Sequence, residues 1–179
     1  MKVILIGAGR LATNLGKALL EAGHDILQVY SRTMESASAL ATLAGGAPVT
    51  EIEKVRNDAD VYIISVKDSV LPDLVQSLCS GRSTKVFLHT AGSVNMDVFA
   101  GMALHYGVFY PMQSFSKEKT VSFHDIPCFV EANDDYAHDV LMQLAQSLTT
   151  KIYQLSSEDR KYLHLSAVFA CNFVNHCML

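Results

Sequence analysis

The sequence predicts an α/β fold: a doubly wound, mostly parallel sheet followed by the start of an all-α region. Three observations carry this. Short apolar runs recur at residues 3–6, 26–30, 61–66 and 86–89, as strands buried on both faces read. Between them, apolar residues return every three or four positions, the period of a helix with one buried face. The chain has 179 residues, 50% apolar and only 18% charged, enough for a proper core.

The elements follow in order. Residues 3–6 form a strand ending at Gly7, and residues 10–22 a helix with Leu11, Leu15, Ala18, Leu19 and Ala22 on one face, closed by Gly23. After the strand at 26–30, Thr33 caps a helix to about residue 43, stopped by Gly45-Gly46. A short strand at 47–49 and a helical stretch at 52–55 precede the strand at 61–66. The next helix spans 68–78, with Asp68 as its cap and Pro72 in its first turn. Beyond the strand at 86–89 the pattern loosens: strands at 108–110 and 128–130, a helix at 134–148, a strand at 152–155. Ser156 or Ser157 then caps a final helix, with Glu158 and Asp159 in its first turn. Strands alternating with helices give right-handed crossovers and a parallel sheet.

Composition excludes several classes. Lys plus Arg is 14 against 18 Asp plus Glu, a net charge of −4, which argues against a nucleic-acid binder. No apolar run approaches 18 residues, so no membrane-spanning helix is expected. The N-terminal apolar run is short, lacks a cleavage pattern and reads as a strand. Cys79, Cys128, Cys171 and Cys177 form no C-x-x-C pair and read as reduced thiols of a cytoplasmic protein. His164 and His176 stand twelve apart with no acidic cluster, so no metal site is expected.

Gly7-Ala8-Gly9-Arg10-Leu11-Ala12 fits G-x-G-x-x-[GA] between a strand and a helix. The first glycine makes the turn, the second admits a pyrophosphate, and small Ala12 packs helix on sheet. The helix N-terminus, at Arg10 and Leu11, offers free N–H groups to phosphate. The second strand ends Tyr30-Ser31-Arg32-Thr33, with no acid at its tip to take a ribose 2′-hydroxyl. Arg32 instead suits a 2′-phosphate, with Ser31 and Thr33 as further donors, so the cofactor expected is NADP. In open α/β sheets the ligand lies beyond the strand C-termini. That adds Ser65, Val66, Lys67 and Asp68, then His89, Thr90, Ala91, Gly92 and Ser93, then Tyr110. Thr90 and Ser93 either bond a ligand or cap their turn. His89 reads as a satisfied strand-end histidine or as an acid.

The glycine loop, the Ser31-Arg32-Thr33 tip and the order of elements resemble NADP-dependent oxidoreductases of the 6-phosphogluconate dehydrogenase-like superfamily. Relatives include pyrroline-5-carboxylate reductase, the deazaflavin-dependent NADP oxidoreductases and prephenate dehydrogenase. A closer resemblance is to bacterial Rossmann-like proteins with a C-terminal helical domain of unknown function, often labelled NADP oxidoreductases. Residues 89–94, 110–116 and 161–173 carry it. The resemblance implies a Rossmann-type NADP domain. Ser93 matches the active-site serine of prephenate dehydrogenase, while Tyr110 stands where that family has a catalytic His before Pro111. The Lys and Asn of the β-hydroxyacid dehydrogenases, four residues apart, are absent: His164 is followed by Val168. In such enzymes the helix after the Rossmann domain runs past the nicotinamide.

On that helix His164, Val168, Cys171, Asn172 and Asn175 share a face, and its polar members need partners if buried. The catalytic candidates are therefore Ser93, His164, Asn172 and Tyr110. The expected function is hydride transfer between NADP(H) and a small carbonyl, imine or hydroxy compound. A non-catalytic dinucleotide sensor is the alternative. The Rossmann part is expected over 1–155. Residues 156–179 read as the first helix of a helical domain that the chain does not complete, with apolar surface covered in a homodimer.

Overall fold

The computed structural model describes residues 1–116 and 121–170. It contains one eight-stranded sheet. In chain order the elements are β1 (Lys2–Ile6), α1 (Arg10–Glu21), β2 (Asp25–Tyr30), α2 (Met34–Ala44), β3 (Ala47–Val49) and β4 (Val61–Ile64). There follow α3 (Leu71–Cys79), β5 (Val86–His89), β6 (His105–Pro111), β7 (Cys128–Ala132), α4 (Asp135–Leu148), β8 (Ile152–Gln154) and α5 (Ser157–Val168). The strand order is β3-β2-β1-β4-β5-β6-β7-β8, and every neighbouring pair is parallel except β6 with β7. The first six strands keep the 3-2-1-4-5-6 order of the doubly wound nucleotide-binding fold.

Side chains leaving a strand alternate between faces, and this splits the core in two. Val3 and Leu5 pack with Leu15 and Leu19 of α1, Leu40 of α2 and Leu141 and Leu144 of α4. Ile4 and Ile6 point the other way, to Leu71, Val75 and Leu78 of α3 and the stacked rings of Tyr62 and Phe87. Strands buried on both sides explain the apolar runs. Each buried aliphatic side chain contributes about 1.5–3 kcal/mol.

The caps agree with the sequence at α2, where Thr33 accepts from the Ser36 N–H at 3.4 Å, and at α5, where Ser156 accepts from Asp159 N–H at 3.1 Å. Two expectations are corrected. The helical stretch at 52–55 is a single 3-10 turn, Ile52–Lys54. Asp68 does not cap α3: a turn closed by the Val70 N–H on the Lys67 carbonyl comes first, and the helix begins at Leu71 with Val70 as its cap.

Candidate functional site

The order of the strands reverses between β1 and β4, and there the tips of β1, β2, β4, β5 and β6 surround one cleft of about 560 Å³. The β1 tip supplies the glycine loop. Gly7 has φ +110°, and a Cβ on it would run into the carbonyl of Ser65. The fold itself therefore requires glycine there. Gly9 differs. It is the N-cap of α1 with an ordinary φ of −78°, and a Cβ on it would meet no protein atom within 4 Å. Ala12 is fully buried against the sheet. Arg10 and Leu11 line the cleft beside the N-terminus of α1.

Ser31 and Arg32 line the cleft from the end of β2. Arg32 is exposed, and no carboxylate pairs with it among the described residues. Thr33 is not in the lining; its hydroxyl caps α2. Ser65, Val66, Lys67 and Asp68 line the cleft from β4, with Lys67 exposed. Thr90, Ala91 and Gly92 line it from β5. The Thr90 hydroxyl donates back to the Ile64 carbonyl at 3.4 Å. Ser93 lies just outside the lining and donates a short hydrogen bond to the Asp68 carboxylate, joining the β4 and β5 tips. No base stands next to Ser93 in sequence; the structure brings one to it from 25 residues away.

The far end of the cleft is closed by Tyr110 of β6 and His164 of α5. The Tyr110 hydroxyl lies 2.8 Å from His164 Nδ1, with the rings edge to face. The imidazole sits over Gly92 so closely that a Cβ there would overlap it. Burial pushes the Tyr110 pKa up, so the hydroxyl keeps its proton at neutral pH. Asn172, with Cys171, Asn175, His176 and Cys177, lies outside the described residues.

His89 is fully buried at the end of β5, where Nδ1 accepts from the Ala91 N–H at 3.1 Å and the ring stacks on Phe99. Burial, with the nearby Arg160 charge, lowers its pKa to about 3. It is a neutral structural histidine near pH 7. Nε2 has no partner among the described residues, so only half of the ring is satisfied.

Sequence reasoning missed Glu131 and Arg160. Arg160 is completely buried on α5 and donates to the Glu131 carboxylate of β7 at 2.8 Å. The available signal was a lone acid inside the apolar strand Cys128–Ala132; Arg160 gave none, because it stands in the charged run Glu158-Asp159-Arg160-Lys161.

Among the described residues no helix is long and apolar enough to cross a membrane, and no group of His, Cys, Asp or Glu could hold a metal ion. A glycine loop at the switch point of a 3-2-1-4-5-6 sheet defines a Rossmann-type nucleotide-binding domain of the kind found in dehydrogenases and reductases. The family described as NADP oxidoreductase, coenzyme F420-dependent, matches residues 2–91, and the chain belongs to it. A domain of unknown function, DUF2520, matches residues 126–179.

Among solved structures, the chain is similar to that described as the putative NADP oxidoreductase BF3122 from Bacteroides fragilis. The two are 48% identical with a TM-score of 0.94, covering 98% of this chain and 68% of that one. Protein TM1727 from Thermotoga maritima is 20% identical with a TM-score of 0.78, covering 98% of this chain and 66% of that one. An imine reductase from Myxococcus stipitatus, solved in complex with NADP+, is 14% identical with a TM-score of 0.75, covering 99% and 63%. These last two share the fold. No curated protein matches the chain.

The residues present fit the family's NADP. Gly9 leaves room at the N-terminus of α1 that no described protein atom uses, and Arg32 at the β2 tip has no carboxylate partner among the described residues.

Proposed function

We propose that this chain supplies the cofactor site and a proton donor of an NADP(H)-dependent oxidoreductase acting on a small carbonyl, imine or hydroxy compound. The observation that carries this reading is one cleft with a phosphate-binding glycine loop at one end and the Tyr110–His164 couple at the other. Gly7, Gly9, Arg10 and Leu11 would hold the pyrophosphate, and Arg32 with Ser31 would hold the 2′-phosphate. Ser65, Val66 and Lys67 would face the ribose, and Thr90 and Ala91 the nicotinamide. NADPH, when bound, supplies the hydride.

The chain's own contribution at the reacting end is a proton. The Tyr110 hydroxyl, protonated at neutral pH, donates it to the substrate's oxygen or nitrogen. The proton that the hydroxyl gives up is replaced from solvent through His164, whose Nδ1 lies 2.8 Å away. Ser93 lies just outside the lining, and its bond to Asp68, which lines the cleft, supports a role in orienting the substrate rather than attacking it.

The helical domain is read as beginning at residue 156. Tyr162 and Leu165 of α5 are 62% and 52% exposed, which supports burial of this helix in a homodimer. Cys79 and Cys128 are free and buried, and burial pushes both thiols up to about 12, which suits a reducing, cytoplasmic setting.

The test is NADPH binding by cofactor fluorescence, followed by NADPH oxidation against aldehydes, imines and 2-keto acids. Turnover with one class assigns the substrate. Tight binding without turnover across the panel, on a chain extended to the length of its relatives, would favour a sensor instead.

A further inference from the structure

We propose that the buried Arg160–Glu131 pair is the positioning element for the Tyr110–His164 couple, registering α5 on the cleft by a polar network rather than by apolar packing. This rests on the roles given above to Tyr110 and His164.

The two buried residues of α5 are Ser157 and Arg160; no apolar side chain of that helix is fully buried. Its seat on the sheet is therefore polar. Glu131 Oε1 accepts from the Ser157 N–H at 2.9 Å, which satisfies a first-turn donor from another element. Glu131 Oε2 accepts from the Ser157 hydroxyl at 2.5 Å and from Arg160 Nη1 at 2.8 Å. Arg160 Nη2 donates to the Val94 carbonyl at 2.5 Å and to Ser157 Oγ at 3.1 Å. The Met96 N–H donates to Ser157 Oγ at 3.0 Å. One network thus joins β7, the segment after β5 and the first turn of α5.

That network fixes both sides of the contact that matters. Arg160 and His164 stand four apart on one face of α5, so fixing the first sets the rotation of the second. Val94 follows Gly92 by two residues, and Gly92 is where the imidazole rests without room for a Cβ. A planar guanidinium can bond a carboxylate and a carbonyl together; an ammonium cannot reproduce that fork. Arg160 is 1% exposed and the Glu131 side chain 16%, so removing the carboxylate leaves the buried guanidinium charge uncompensated. The Arg160 charge also pulls the Tyr110 pKa down against the larger push of burial.

The experiment reads the His164 ring nitrogens by 15N NMR on the full chain, with His164 assigned by the loss of its signals in H164Q. Y110F defines the Nδ1 resonance without its hydroxyl partner. R160M and E131Q should both move Nδ1 toward the Y110F position, and R160K should follow R160M because charge alone does not restore the fork. NADP+ affinity, read by calorimetry, should stay within about twofold of the unaltered chain, since the glycine loop and Arg32 share no partner with the pair. An unmoved Nδ1 resonance in folded R160M or E131Q overturns the proposal. So does a parallel loss of NADP+ affinity, which marks general collapse. If R160M does not fold, E131Q, which keeps the side chain's shape, decides alone. Failure to find NADPH turnover would sink the proton-donor reading but would leave the resonance shifts unaltered, so the two failures are distinct.

Discussion

The Tyr110 hydroxyl and Nδ1 of His164 meet at 2.8 Å across 54 residues of chain. One comes from β6, the last strand before the antiparallel step to β7, and the other from α5, the helix that follows β8. The contact sits opposite the glycine loop in a single cleft, so the cofactor end and the reacting end are fixed to the same scaffold. Replacing Tyr110 by Phe removes the proton and keeps the ring. Turnover in Y110F should fall by about 10²–10⁴-fold with NADPH affinity unchanged, the usual range for a lost general acid. Steady-state rates with the substrate class found in the panel, set beside cofactor titrations, check this.

Gly7 and Gly9 should respond in opposite ways to alanine. Gly7→Ala forces a Cβ into the Ser65 carbonyl at φ +110° and should cost about 1–3 kcal/mol of stability or more. Gly9→Ala meets open space at φ −78°, so the melting temperature should hold or rise slightly. Its methyl instead stands where the pyrophosphate must approach, and NADPH affinity should drop about tenfold or more. Thermal melts of the ligand-free chain and fluorescence titrations separate the two effects. A Gly9→Ala variant that binds NADPH normally would remove the loop from the cofactor site.

Arg32→Ala should weaken NADPH binding by roughly tenfold or more and leave NADH binding nearly unchanged. A charge-assisted hydrogen bond to phosphate contributes about 1.5–3 kcal/mol, and only NADPH carries the 2′-phosphate. Arg32 has no carboxylate partner among the described residues, so its removal should not unsettle the fold. Equal losses for the two cofactors would defeat the assignment.

The sheet was legible because its strands are buried on both faces and therefore carry unbroken apolar runs, as at Val61–Ile64 and Val86–His89. The cofactor end was legible because glycine loops work through backbone geometry tied to a short motif. The tips of β4 and β5 were found as segments, but the pairing of Ser93 with Asp68 was not, because a hydrogen bond between two loops leaves no periodic trace. Glu131 and Arg160 were missed for a related reason. Arg160 looks like an ordinary surface charge in its own helix, and only the approach of α5 to β7 pairs it with Glu131. Asp68 read as a cap because an acid before a helix usually is one; the extra turn at Lys67–Val70 moved the helix start past it.

His89 gives the chain an acid-sensitive joint. Burial at the end of β5 lowers its folded pKa to about 3, while its ordinary value is 6.5. Between these values the unfolded chain binds a proton on this ring and the folded chain does not. Stability contributed by the neutral ring is therefore complete above about pH 6.5 and lost progressively as the pH falls toward 3. The melting temperature should drop by a few degrees, on the order of 5 °C, from pH 7 to pH 5. His24, whose pKa burial also lowers, adds to the slope in the same direction. H89N retains an acceptor for the Ala91 N–H but cannot titrate, so its melting temperature should be lower at pH 7 yet fall less steeply with acid. Melting curves at half-unit steps between pH 5 and 7.5 check this. Parallel slopes for the two proteins would mean that the ring is not buried as a neutral group, and would return it to the list of possible acids at the cleft.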